Sequence, residues 1–255
     1  MAMCYSMNGR FLEADRVLAG ATDTLHMSRA TQAAYYAAQH RQNRECRSQS
    51  EPGAERDRFR ACEEYYARRA LETTGDISKR FYFAYLVAVD EGDYDRAAAA
   101  CDSALACAPP VSHDYARAAF YRSETERFRG DEAARFEWLV RAAMADVQGA
   151  VRDYGALGGV AEELLRRGDA ARAMRCIRVA INDTQAYNSP IRSWRDMAIL
   201  PQIEQAYSER NARLRAMYVA LILLAFLFAL SAIGGVLFVL RQNRRLNAVQ
   251  QTLRE

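Results

Sequence analysis

The chain has 255 residues, 26% of them charged, with a formal net charge of +3 and a mean hydropathy of −0.30. That length allows one or two domains with a sizeable core, and the composition excludes both a disordered chain and a multi-pass transporter. Lys79 is the sole lysine among 35 basic residues, and the arginines are spread along the chain, so the charge marks no nucleic-acid patch.

The amino terminus, MAMCYSMNGRFLEADRVLAG, lacks a charged start followed by an apolar run and does not read as a signal peptide. Gly9, Phe11, Ala14 and Leu18 open a helix at offsets that return later in the chain. Only eight residues precede Gly9, so this first hairpin is expected to lack most of its leading helix and to leave Phe11 and Leu18 uncovered. The chain therefore reads as beginning inside a domain. From Arg41 to Arg58 the residues are polar, charged and broken by Pro52-Gly53, which predicts a solvated loop within the array. Cys62 to Leu71 reads as helix, and Thr73-Thr74-Gly75-Asp76 as a stop and restart.

Three glycine-aspartate pairs follow at a constant period of 38 residues, at Gly92-Asp93, Gly130-Asp131 and Gly168-Asp169. Glycine permits the positive φ of a helix end, and the aspartate caps the next helix. Twelve residues past each glycine stand Ala104, Ala142 and Ala180, and nine past stand Cys101, Leu139 and Ile177. Ala97 and Ala173 share the offset of five. These positions form a small, apolar stripe that lets paired helices approach closely, and all three alanines at offset twelve are expected to be buried at hairpin interfaces. Phe81, Tyr85, Trp138 and Leu139 read as packing between hairpins. The predicted fold is all-α, a helical-hairpin array followed by one transmembrane helix. Its structural residues are Gly92, Ala97, Ala104, Gly130, Ala142, Gly168, Ala173 and Ala180.

The run Gly92, Tyr94, Ala97, Ala104 and Pro109 resembles the second half of a tetratricopeptide repeat. That resemblance implies a helical array and says nothing of a ligand. Past the last repeat, Asn188, Ser189 and Pro190 open a helix, and Pro201 marks a kink or a fresh start. From Gln202 one helix can run through Leu240, with Ile203, Ala206, Tyr207 and Leu214 facing the array. Ala216 to Leu240 carries no charge over 25 residues, which exceeds the roughly 20 that a spanning helix needs. Within it Ala225 and Ala229, and Ser231 and Gly235, are small residues four apart that can bring two spans together, although such residues are common in membrane helices. Leu246, Val249 and Leu253 begin a heptad seam. The organisation is thus a repeat domain over residues 1–200, a connecting helix over 201–215, a span over 216–240 and the start of a cytoplasmic coiled coil over 241–255, where the chain reads as severed.

Ala142 to Tyr207 is similar to the core of a bacterial family catalogued as a domain of unknown function. Its members resemble transcriptional regulators with an exported repeat domain, one span, a coiled coil and a cytoplasmic helix-turn-helix. The resemblance implies a membrane-anchored regulator whose array binds a peptide, protein or other ligand and whose output domain lies beyond this chain. The implied location is the bacterial inner membrane, with the array periplasmic, the tail cytoplasmic and a homodimer allowed through span and coil. The competing reading is a tail-anchored scaffold that recruits protein partners to the membrane. Four arginines after the span, Arg241, Arg244, Arg245 and Arg254, against Arg210, Arg213 and Arg215 before it, place the tail inside by a margin of one charge.

No catalytic or cofactor-binding constellation is expected. His26, His40 and His113 have no companion ligand at helical spacing, so no metal site is predicted. His113 reads as lying at a helix start capped by Ser112. Glu63-Glu64 and Glu162-Glu163 are adjacent and point apart, and Gly158-Gly159 follows no strand, so neither a carboxylate pair nor a phosphate loop is offered. Cys4, Cys46, Cys62, Cys101, Cys107 and Cys176 show no redox or metal spacing and read as small buried hydrophobes. Cys101 and Cys107 lie about 240° apart on one helix and cannot bond to each other.

Overall fold

The computed structural model describes residues 1–21, 24–150, 155–186 and 190–252, with side-chain surroundings left aside at residue 25, at 184–197 and from 245 onward. Among the described residues the regular structure is entirely helical. Ten helices form five consecutive pairs: α1 (Ala2–Met7) with α2 (Phe11–Ala19), α3 (Arg29–Gln49) with α4 (Ala54–Thr73), α5 (Ile77–Asp90) with α6 (Tyr94–Cys107), α7 (His113–Arg129) with α8 (Glu132–Gln148), and α9 (Gly155–Arg166) with α10 (Ala170–Ala186). Each helix packs on the next, and α1 also meets α3 as α5 meets α7, which is the stacking of a helical-hairpin solenoid.

One hydrogen-bonded motif turns the chain at four of these pairs. Gly9, Gly92, Gly130 and Gly168 have φ of 72°, 73°, 79° and 79°, in the left-handed region. At Gly92 the Asp93 N–H donates to the Ala88 carbonyl at 2.9 Å and the Gly92 N–H to Val89 at 3.1 Å. The same two bonds recur from Asp131 to Glu126 and Gly130 to Arg127, and from Asp169 to Leu164 and Gly168 to Leu165. Arg10 and Gly9 repeat them on Tyr5 and Ser6. This is the Schellman closure, which satisfies orphan carbonyls at a helix end. The aspartate then caps the next helix: Oδ1 of Asp93 accepts from the Arg96 N–H at 2.9 Å, that of Asp131 from Ala134 at 2.9 Å, and that of Asp169 from Arg172 at 3.0 Å.

The segment expected to be a loop, Arg41 to Arg58, is instead the end of α3 and the start of α4, separated only by residues 50–53. Several of its polar side chains on α3 are paired within the fold. Arg41 meets Glu45 one turn on at 2.8 Å, Arg47 reaches Glu63 on α4 at 2.6 Å, and buried Gln42 donates to Asp15 Oδ1 at 2.9 Å and to the Phe11 carbonyl at 3.0 Å. Charged residues on such a hairpin look like loop residues until their partners are known. A second expectation is also corrected: the six-residue α1 is enough to cover the first repeat. Leu18 is buried with Ala2 and Ala38, Tyr35 closes the cluster, and Phe11 is half-buried.

The cysteines are free thiols, and only Cys101 is fully buried; Cys4 and Cys107 are exposed and the others lie between. Burial raises the Cys101 thiol to about 12 and that of Cys46 to about 11.

The last helix, α11 (Pro190–Thr252), continues through Pro201 without a break. The chain divides into two compact units, Met1–Ile203 and Glu204–Glu255. In the first, Ile203 is fully buried. The stretch Ala198–Arg244, most of which belongs to the second unit, contains a window of mean hydropathy 2.7, none of it buried, and is long and apolar enough to cross a membrane. Large apolar side chains from Met217 to Leu240 are exposed all round this helix, as is Leu214. Asn188 and Ser189 lie outside the described residues, as do Leu253 and the side chains of Leu246 and Val249 in the expected heptad.

Candidate ligand site

A cavity of about 130 Å³ lies among α5, α6 and α7. Local sequence sets its walls. Asp76 caps α5 by accepting from Ser78 and Lys79, and Ser112 caps α7 by accepting from the Tyr115 N–H at 3.1 Å, as expected for the start at His113. The α6 wall is low because it is built from Ala100, Cys101, Ala104 and Cys107. The opposite wall is aromatic, from Phe81, Tyr82 and Tyr85 of α5 and Tyr121 of α7. Tyr121 lies 4.6 Å from Tyr85 and 5.4 Å from Tyr82 between ring centroids.

Two guanidinium groups bracket this aromatic wall. Arg44 of α3 donates from Nη1 to the Tyr82 hydroxyl at 2.9 Å and to the Tyr121 hydroxyl at 3.4 Å. Arg117 lies 5.5 Å from the centre of the Tyr82 ring, and its Nη2 donates to Ser78 Oγ at 3.0 Å and Asp114 Oδ1 at 2.6 Å. Burial opposes ionisation of Tyr121, but the Arg44 charge and the hydrogen bonds from Arg44 and Tyr82 outweigh it and lower its hydroxyl. Tyr82, desolvated and next to Tyr121, is raised.

Behind Tyr82 sits His40 of α3, 2% exposed, with its ring edge-on to Phe83 at 5.5 Å. Desolvation, then the charges of Arg44, Arg41 and Arg47, lower it to about 3. Glu63 Oε1, 3.8 Å from Nε2, is too distant to offset burial, so the imidazole is neutral and structural.

The predicted structural residues fall into two groups. Gly92, Gly130 and Gly168 occupy the left-handed turns, and Ala97, Ala142, Ala173 and Ala180 are fully buried. Ala104 differs: it is half-buried and borders the cavity. Sequence reasoning missed Ser78, Arg117, Asp114 and Tyr121 altogether and took Phe81 and Tyr85 for packing alone. Arg44 and Arg117 are 73 positions apart, and no motif links them.

Paired antiparallel helices with left-handed glycine turns and aspartate caps define a tetratricopeptide-repeat protein, a class of non-catalytic helical scaffolds that generally mediate protein interactions. A family model described as the SusR N-terminal TPR domain matches residues 1–197, and the chain belongs to that family, which is one of repeat-bearing regulators. No curated protein and no solved structure matches it.

Proposed function

We propose that this chain is a membrane-anchored signal-transducing regulator of the bacterial inner membrane. Its repeat array binds a peptide, protein or other ligand, and the span over residues 216–240 passes the bound state to a cytoplasmic transcriptional output linked through the tail. The observation that carries this reading is α11, a single helix that begins within the repeat unit and runs on through the exposed apolar stretch. The family match, to the repeat domain of a regulator, supports the array as the input side. The arginine excess after the span supports a cytoplasmic tail. Small residues at Ala225, Ala229, Ser231 and Gly235 would let two copies associate within the bilayer.

Orientation is the discriminating measurement. In a cysteine-free background, Ser50→Cys in the α3–α4 turn is expected to react with an impermeant maleimide when only the outer membrane is permeable. Asn247→Cys in the tail is expected to react only once the inner membrane is opened. The reverse pattern would put the array in the cytoplasm and favour a tail-anchored scaffold.

A further inference from the structure

We propose that the cavity among α5, α6 and α7 binds a carboxylate on an apolar body of single-ring size, with Arg117 taking the carboxylate and the aromatic wall taking the ring. This rests on the reading of the array as the ligand-binding part and names the ligand's chemistry.

Size comes first. A volume of about 130 Å³ compares with the engineered cavity of roughly 150 Å³ that takes up benzene, so the space accepts one ring or a branched alkyl group. Shape agrees, because Ala104 and Cys101 leave room opposite Tyr85 and Tyr121 for a flat or branched group. The mouth is open to solvent: Ile77 and Cys107 are exposed, and the Asp114 side chain is 48% exposed.

Charge selects the other end of the ligand. Arg117 and Arg44 place two positive charges on the Tyr82–Tyr121 wall, while Asp114 is the one carboxylate among the lining residues. Among the described residues Arg117 uses only Nη2, leaving Nε and Nη1 without a hydrogen bond. These two nitrogens do not make one donor edge, because both paired edges of a guanidinium include Nη2, but Nη1 can still give a ligand carboxylate a charge-assisted hydrogen bond. The lowered Tyr121 hydroxyl reports the same positive field, with Arg117 contributing to it. The carboxylate can belong to a free small acid or to the C-terminal apolar residue of a peptide.

Cys107 supplies a reporter at the site, since it is exposed and lines the cavity, whereas Cys101 beneath is buried with its thiol raised to about 12. The full chain in lipid nanodiscs would be treated with N-ethylmaleimide and the rate at Cys107 followed by mass spectrometry. Cys4, exposed and absent from the cavity lining, is the internal control. The probes are 3-phenylpropionate, 3-phenylpropanamide, and an acetylated peptide ending in phenylalanine as free acid or amide. The acid forms are expected to protect Cys107 and not Cys4, with the amides weaker by about tenfold or more. Arg117→Gln should abolish that preference, Arg117→Lys should keep part of it, and Ala104→Leu should abolish protection by filling the space. Stronger protection by phenylpropionate identifies a small acid as the source; stronger protection by the peptide identifies a chain terminus. Equal protection by acids and amides, or none by either, overturns the proposal on the unaltered chain alone. The result does not depend on topology, so a reversed orientation and an empty cavity are distinguishable failures.

Discussion

Ala180 is fully buried on α10, and it shows how much a small side chain can decide in an array of closely approaching helices. Ala180→Leu inserts three carbons where no space exists, and overpacking of this kind costs about 1–3 kcal/mol, measurable as a lower urea midpoint. Ala104 shares the repeat offset but faces a cavity, so the same change there is expected to cost less. His40 carries the pH dependence of the first hairpins. Its folded pKa of about 3 lies below its unfolded value near 6.5, so below that value the unfolded chain binds more protons. Stability is therefore full above about pH 6.5 and falls as pH drops toward 3. Chemical denaturation between pH 6.5 and 5, above the range where carboxylates titrate, should show that fall in the unaltered chain and a flatter profile in His40→Gln.

Among the helices, the turn at Gly130-Asp131 separates two local effects that the sequence packs into one dipeptide. A Cβ at Gly130 would meet nothing within 4 Å, so Gly130→Ala pays only for a left-handed backbone, about 1–2 kcal/mol. Asp131→Ala leaves the turn and removes the side chain that accepts from Ala133 and Ala134, costing about 1 kcal/mol. Thermal unfolding of the two variants and their combination should show whether closure and cap act independently. These turns were legible because each needs only residues within a few positions of the glycine. The α3–α4 hairpin was not, because Arg47 and Glu63, or Gln42 and Asp15, reveal themselves as partners only when two helices meet.

At the scale of the whole chain, the apolar stretch of α11 is long and apolar enough to cross a membrane. Phe228 lies near the middle of residues 216–240 and is 77% exposed. Phe228→Arg is expected to disfavour insertion by about 2.5–3.5 kcal/mol on translocon scales. Alkaline carbonate extraction should leave the unaltered chain in the membrane pellet and release a substantial part of the variant. A chain that is extracted in full before any substitution would sink the reading of this helix as a span.

Sequence alone determined the helical class, the 38-residue period, the glycine turns with their aspartate caps and the long apolar helix. Each is written in short-range periodicity and composition, and backbone geometry converts these into structure without reference to distant residues. Only the tertiary structure decided that the polar segment from Arg41 to Arg58 is helical, that Ala104 borders a cavity while Ala142 and Ala180 are packed, and that Arg44, Tyr82, Arg117 and Tyr121 share one wall. Those features depend on which side chains meet across three different helices. In a stacked array that meeting is set by the packing of whole hairpins, which no local pattern records.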